Sequence, residues 1–186
     1  MKIGIDIDDT LVNTRAVQKI YWKEYITKNP KEGYTEEIPN AINKFGDKYV
    51  EEFWDTYREK LSFSSTFKEN AATILHKLKE KGFILCVVTA RPDDKYTDLE
   101  KRLANWFSGN DIPIDIIYTN VKNKGQFCKD KHIDVLIDDG LNHITSAQEN
   151  NVEAILFNNI SNYKGLQADN WIDLYNILIK LQEEHN

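Results

Sequence analysis

The sequence predicts an α/β protein with a doubly wound, mostly parallel sheet and a small helical insertion after the first strand. Three observations support this class. Five apolar strand patterns alternate with amphipathic helix patterns, which is typical of parallel βαβ units. The segment 83–88 is apolar at every position, as expected for a strand covered on both faces. The first crossover contains about 55 residues, far more than an ordinary connection needs.

Length and composition exclude several classes of protein. The 186 residues suffice for one core domain and a small appendage. The net charge of −6 argues against a nucleic-acid polymer or an anionic membrane as partner. The two cysteines, Cys86 and Cys128, predict neither a disulfide nor a metal cluster. A strand begins almost at Met1 and no apolar run approaches membrane-spanning length, so we expect a cytoplasmic protein.

The first strand carries alternating isoleucines and ends in the acidic stretch Asp6-Ile7-Asp8-Asp9-Thr10. Three carboxylates at the end of a buried strand require either a cation or a solvated cleft, because burial of unpaired charge is costly. The carboxyl ends of parallel strands are where open α/β sheets bind ligands. The acidic stretch is therefore the predicted functional centre.

Residues 14–66 are predicted to form a small α-helical cap, which leaves residues 1–13 and 67–186 as the core. An apolar face that ends at Pro30 predicts the first cap helix. A short helix is expected around Ala41, and a stripe of apolar residues predicts a further helix over 47–61. Residues 62–66 have the composition of a connector.

Aromatic residues are concentrated in and next to this insertion, since 11 of the 21 in the chain lie from Tyr21 to Phe67 and all of these except Phe67 lie within residues 14–66. Trp22, Tyr25 and Tyr49 are therefore candidates for stacking against a nucleobase. The alternative is that a small helical cap needs large side chains to form any core of its own.

From Phe67 onward the alternation of helices and strands is regular. Asn70 is placed to cap a helix that precedes the strand at 83–88. Three further strands are predicted at 114–118, 135–137 and 152–157, and helices at 99–109, at 124–131, around Ile144 and from Trp171 onward.

Polar residues follow four of these elements and are expected to meet at one edge of the sheet. They are Asp6 and Asp8, Thr89 and Arg91, Lys122 or Lys124, and Asp138 with Asp139. The acids suit a hard divalent cation such as Mg²⁺, and the hydroxyl, the backbone amides and a cation suit a phosphate group. This combination predicts Mg²⁺-dependent phosphoryl transfer.

The spacing of the first two acids suggests a division of roles. Residues i and i+2 of a strand point to the same side, so Asp6 and Asp8 can face one cleft. One of them can attack phosphorus, and the other can protonate the leaving alcohol and then activate water.

These motifs resemble the four ordered motifs of the haloacid dehalogenase (HAD) superfamily, whose core is Rossmann-like. The resemblance implies that Asp6 is the nucleophile and that Asp8 is the general acid/base and contributes its backbone carbonyl to the metal. It implies phosphatase rather than dehalogenase chemistry, because Asp8 occupies the second position. The implied metal residues are Asp6, Asp8, Asp138 and Asp139, and the implied phosphate contacts come from Asp9, Thr89, Ala90, Arg91 and Lys124.

Within the superfamily, the short cap and the Thr89-Ala90-Arg91-Pro92 segment resemble the type C 5′-nucleotidase or deoxyribonucleotidase family. The order Asn123-Lys124-Gly125 favours Lys124 over Lys122, while Asp9 stands where many members have glycine. Arg91 either contacts the phosphate or pairs with an acid.

The resemblance predicts hydrolysis of a nucleoside monophosphate. The alternative within the same chemistry is a phosphatase for a sugar or another small phosphometabolite. The alternative of another class is a phosphoacceptor or binding module without turnover. Joint retention of the site residues, Asp6 and Thr89 among them, argues against an inactive fold.

Overall fold

The computed structural model describes residues 1–32, 37–38, 47–158 and 160–184. The chain forms two compact units. The core unit comprises Met1–Val12 and Phe67–Asn186, and the helical unit comprises Asn13–Thr66. The short helix expected around Ala41 lies outside the described residues.

The core unit is built on a six-stranded parallel sheet. Adjacent strands are parallel throughout, and their spatial order is β3-β2-β1-β4-β5-β6. The strands are β1 (Lys2–Ile5), β2 (Ile84–Val88), β3 (Ile116–Tyr118), β4 (Val135–Asp138), β5 (Glu153–Leu156) and β6 (Leu166–Gln167). The doubly wound α/β class is confirmed, but the prediction of five strands missed β6. A strand of two half-buried residues is too short to show a period of two.

Seven α-helices are present within the described ranges. Two belong to the helical unit and five flank the sheet: α1 (Thr14–Lys28), α2 (Asp47–Phe63), α3 (Ala71–Glu80), α4 (Leu99–Gly109), α5 (Lys124–Asp130), α6 (Leu141–Glu149) and α7 (Trp171–Glu184). Helix α3 packs against α7, and α5 packs against α6. No helix of the described residues is both long and apolar enough to cross a membrane.

The sheet is buried on both faces because its strands are apolar at successive positions. One face contributes Cys86, Val88 and Leu136 to a core that also contains Cys128 of α5 and Ile144 of α6. The intervening strand residues are fully buried as well and point to the opposite face. This two-sided burial explains the continuous apolar run from which β2 was predicted.

The strand order places a crevice at one edge of the sheet. From β1 the chain winds outward to β2 and β3 on one side and to β4, β5 and β6 on the other. The reversal between β1 and β4 opens a crevice beyond their carboxyl ends. Asp6 and Asp138 lie at those two strand ends.

Two local predictions need correction. Asn70 precedes α3 but adopts a left-handed conformation (φ 62°), and its side chain makes no capping hydrogen bond. Its carbonyl accepts a hydrogen bond from the Ile74 amide at 2.9 Å instead, so the backbone alone starts the helix. Helix α2 extends to Phe63, two residues beyond the predicted end and into the segment expected to be a connector.

The helical unit has an aromatic core. Trp22, Tyr25 and Tyr49 are only 1%, 4% and 3% exposed. The Trp22 ring centroid lies 5.0 Å from that of Phe53, and the Tyr25 centroid lies 5.2 Å from that of Tyr49. These rings pack against one another and leave almost no face for a ligand, so their burial argues against the predicted role in stacking a nucleobase.

Candidate active site

The acidic stretch continues β1 into a tight loop. The Asp6 amide donates to the Ile137 carbonyl at 2.9 Å, which extends the pairing of β1 with β4. The amides of Leu11 and Val12 both donate to the Ile7 carbonyl at 3.0 Å and close the loop. Asp9 lies inside this loop with a φ of 61°. That left-handed conformation is unstrained for glycine and tolerated by aspartate, so the backbone can accept either residue there.

Lys124 enters the same crevice from the first turn of α5. Its side chain is almost fully buried, and its ammonium group donates to Asp6 and, at 2.6 Å, to Oδ2 of Asp138. Lys122 is exposed. Of the two candidate lysines, the structure therefore brings Lys124 to the acids and leaves Lys122 at the surface.

The start of α5 is held against α6 by a close backbone approach. The Asn123 side chain accepts hydrogen bonds from the Gln126 amide at 3.2 Å and from the Ser146 hydroxyl at 3.1 Å. A Cβ atom on Gly125 would lie 2.2 Å from the Ser146 carbonyl oxygen, far inside van der Waals contact. Only glycine permits this spacing, which places the backbone of Lys124 relative to α6.

Three carboxylates form a group that can hold a cation. Asp6, Asp138 and Asp139 each offer an oxygen, and these oxygens all lie within 4.8 Å of one another. Oδ1 of Asp138 accepts the Gly140 amide at 2.8 Å, which fixes the orientation of that carboxylate. An all-oxygen, partly buried donor set of this kind suits Mg²⁺. The Asp8 carboxylate is outside the group, so a metal role for Asp8 depends on its backbone carbonyl.

Burial and mutual repulsion dominate the electrostatics of the acids. Burial raises the pKa of Asp6 from 3.8 to about 8, Lys124 opposes that rise, and Asp138 and Asp8 add to it. Burial alone would lower the pKa of Lys124, but Asp6 and Asp138 raise it to about 12. One ammonium group thus faces two buried carboxylates, with Asp139 beside them. A bound cation would relieve this excess of negative charge.

Asp8 is paired with Arg91 rather than with Lys124. The Arg91 Nε and Nη2 atoms donate to the two oxygens of Asp8 at 3.0 and 2.8 Å. Burial lowers the pKa of Arg91, but the attraction of Asp8 outweighs it and the pKa rises. Of the two roles left open for Arg91, the structure shows the pairing with an acid.

Thr89 and Ala90 follow β2 at the neighbouring strand end. Thr89 is almost fully buried, and its amide donates to the Tyr118 carbonyl at 3.0 Å. Its hydroxyl accepts the Arg91 amide at 3.3 Å. Ala90 is exposed at the same turn. These hydrogen bonds and the pairing of β2 with β1 hold the segment beside the end of β1.

Sequence reasoning missed several neighbours of the site. The Trp106 ring of α4 lies 5.9 Å from the Arg91 guanidinium carbon, and the Thr10 hydroxyl is buried without a hydrogen-bond partner. His143 is half-buried, and burial lowers its pKa while Asp138 opposes this. Thr10 belongs to the acidic stretch, whereas Trp106 and His143 belong to no motif, and apolar periodicity reports only that a ring is buried, not which group it faces.

Similarity to known proteins is found in structure only. No protein-family model matches the sequence, and no curated protein matches it significantly. A solved structure described as a predicted phosphoglycolate phosphatase from Haemophilus somnus is 18% identical, with a TM-score of 0.68 over 95% of this chain and 96% of that one. A HAD-superfamily hydrolase from Ehrlichia chaffeensis is 16% identical, with a TM-score of 0.60 over 97% and 96%.

A third similar structure is a Thermotoga maritima protein assigned as a beta-phosphoglucomutase. It is 14% identical, with a TM-score of 0.68 over 96% of this chain and 98% of that one. At such identities the likeness establishes only the fold, which this chain shares with the HAD-superfamily hydrolase and the two other structures. None of these three structures is described as a nucleotidase.

Proposed function

We propose that this protein is a Mg²⁺-dependent phosphomonoesterase of the HAD type, with Asp6 as nucleophile and Asp8 as general acid/base. The observation that carries the proposal is the position of Lys124, whose ammonium group lies between Asp6 and Asp138. A buried cation next to a nucleophilic carboxylate and a cation-binding acid group is the arrangement that phosphoryl transfer needs.

Asp6, Asp138 and Asp139 would hold the Mg²⁺ ion. When bound, Mg²⁺ would neutralise the carboxylates and orient the phosphate for in-line attack. Lys124 and Thr89 would bind non-bridging phosphate oxygens, together with the backbone amides of Asp9 and Ala90.

The proposed reaction has two steps. An oxygen of Asp6 forms a bond to phosphorus while the ester P–O bond breaks, and the departing alkoxide takes a proton from Asp8. Asp8 then accepts a proton from water as the water oxygen attacks phosphorus, and Asp6 leaves as a free carboxylate. The side chain of Asp8 is 38% exposed, so both leaving group and water can reach it.

The substrate we propose is a small phosphorylated metabolite, of the sugar-phosphate or phosphoglycolate kind. The names of two structural neighbours favour this class over a nucleotide. The burial of Trp22, Tyr25 and Tyr49 argues against stacking of a nucleobase on these three rings. Residues 14–66, the predicted cap, remain the proposed source of substrate selectivity.

A phosphate-release screen tests this proposal. The substrates are p-nitrophenyl phosphate, phosphoglycolate, hexose phosphates and nucleoside 5′- and 3′-monophosphates, each with Mg²⁺. We expect turnover that Asp6→Asn abolishes and that a chelator stops until Mg²⁺ is restored. Asp130→Asn, the same change at an exposed position of α5, is the control and should behave as wild type.

Each contrary result has a distinct meaning. Activity that survives Asp6→Asn would rule out the nucleophile, and indifference to chelation would rule out the metal. Highest kcat/KM for a nucleoside monophosphate would restore the nucleotidase prediction. Protein that accumulates phosphate without releasing it would identify a phosphoacceptor module instead of a hydrolase.

A further inference from the structure

Arg91 is anchored by its backbone as well as by its side chain. Its amide donates to the Thr89 hydroxyl at 3.3 Å, and its carbonyl accepts the Asn120 amide at 2.9 Å. Its guanidinium donates two hydrogen bonds, one to each oxygen of Asp8. Such a planar fork fixes the plane of a carboxylate, which a single hydrogen bond cannot do.

The geometry leaves Arg91 poorly placed to bind phosphate. Two of its donor atoms, Nε and Nη2, are engaged with the two oxygens of Asp8. A direct phosphate contact from those atoms would have to break the pair and leave a buried guanidinium less well compensated.

An aromatic pair supports the guanidinium from the side. The Trp106 ring centroid lies 5.9 Å from its central carbon, within the range of a cation–π contact. The Phe67 ring centroid lies 4.9 Å from that of Trp106, and the two rings are tilted by 33°. Phe67, Trp106, Arg91 and Asp8 therefore form a continuous chain of contacts within the core unit.

We propose that Arg91, supported by Trp106, is a positioning residue that orients Asp8 for proton exchange with the leaving group and is not a phosphate ligand. This proposal rests on the proposed function for the role of Asp8. It gives Trp106 a part in catalysis although it touches neither substrate nor metal.

The consequence is a dependence on the leaving group. An alkyl phosphate needs a proton donor for its departing alkoxide, whereas p-nitrophenolate leaves without one. For kcat/KM, which reports the steps up to departure of the leaving group, Arg91→Gln should therefore affect alkyl phosphates far more than p-nitrophenyl phosphate. General acid catalysis contributes about 10² to 10⁴-fold, so a loss of about 10²-fold for alkyl substrates is expected from misorientation.

The experiment measures kcat/KM for p-nitrophenyl phosphate and for an alkyl phosphate that the wild-type protein hydrolyses. The variants are Arg91→Gln, Arg91→Lys, Trp106→Leu and Phe67→Leu. We expect kcat/KM for the alkyl phosphate to fall more than kcat/KM for p-nitrophenyl phosphate. This difference should be largest for Arg91→Gln, smaller for Trp106→Leu and smallest for Phe67→Leu. Arg91→Lys should resemble Arg91→Gln, because lysine keeps the charge and loses the fork. Lys180→Gln, which breaks the exposed pair with Glu184 on α7, is the control and should change neither substrate.

Two results would overturn the proposal. One is an equal loss for both substrates. The other is an inhibition constant for orthophosphate that rises about tenfold or more in Arg91→Gln, as loss of a charged hydrogen bond to phosphate predicts. Recovery of alkyl activity by Arg91→Lys would also count against it, because charge alone would then suffice.

The pair itself is tested without activity. The melting temperatures of Asp8→Asn, Arg91→Gln and the double variant form a cycle, and we expect the double variant to lose less than the sum of the single losses. If the double variant loses as much melting temperature as the two single variants together, the proposal is overturned, even when all three variants are folded and active. Absence of all turnover by the wild type would instead refute the proposed function, while the cycle would still report on the pair.

Discussion

Gly125→Ala tests how the site lysine is positioned. The new methyl carbon would start 2.2 Å from the Ser146 carbonyl oxygen, 2.3 Å from its carbon and 2.5 Å from Oγ. Two of these atoms are backbone, so no side-chain rotation can make room. Helices α5 and α6 must separate by about 1 Å before the contact becomes tolerable.

This displacement predicts a loss of both activity and stability in Gly125→Ala. A shift of about 1 Å would stretch the 2.6 Å hydrogen bond between Lys124 and Asp138 beyond hydrogen-bonding distance. Misplacement of a catalytic group by about 1 Å can cost about 10²-fold in rate, and overpacking typically costs about 1–3 kcal/mol in stability. We therefore expect kcat to fall by about two orders of magnitude in a protein that still folds.

The assay combines kcat for p-nitrophenyl phosphate with urea unfolding. Gly109→Ala is the matched control, because the same methyl group there meets nothing within 4 Å. It should retain both kcat and stability. If Gly125→Ala has the kcat and the stability of the wild type, the close approach of Gly125 to Ser146 is refuted. If it loses stability but keeps its kcat, the role of that approach in placing Lys124 is refuted.

Three further predictions concern the acids. Lys124→Met should lower the free energy of unfolding of the metal-free protein by about 3–5 kcal/mol, because it leaves Asp6 and Asp138 without their cation. In urea unfolding, Mg²⁺ should restore part of that loss. A loss that Mg²⁺ does not change would contradict the cation site. The raised pKa of Asp6 predicts that metal-free protein loses stability as pH rises from about 4 to about 8, because the unfolded carboxyl releases a proton that the folded one retains. Melting temperatures against pH should show this slope in the wild type but not in Asp6→Asn, and parallel profiles would contradict it. Asp9→Gly should have a free energy of unfolding within about 1 kcal/mol of wild type, because glycine is unstrained at a φ of 61°. The variant should also have a lower KM, because a negative charge is removed. A higher KM would show that the carboxylate itself is needed.

Much of the core could be predicted from local patterns. A strand buried on both faces has to be apolar throughout, so β2 and β4 are visible in the sequence. The acids after β1 and β4 then fall at one edge, because parallel strands align their carboxyl ends. The preference for Lys124 over Lys122 agrees with the burial of Lys124.

The remaining features depend on contacts that no local pattern encodes. Arg91 and Asp8 are 83 residues apart, and Lys124 and Asp6 are 118 apart. Charge in the sequence shows that such groups can pair but not which partner each one takes. The aromatic residues of the helical unit show the same limit, since a ring needed for a core and a ring exposed to a ligand have identical spacing.

The sequence by itself determined the fold class and which strand ends carry residue types suited to Mg²⁺ and phosphate, because each depends on periodicity or on the chemistry of single side chains. The tertiary structure alone decided that Lys124 lies between Asp6 and Asp138, that Arg91 holds Asp8 and that Gly125 packs against Ser146. These arrangements arise from close packing between elements distant in the chain, where a difference of about 1 Å separates a working site from a misplaced one.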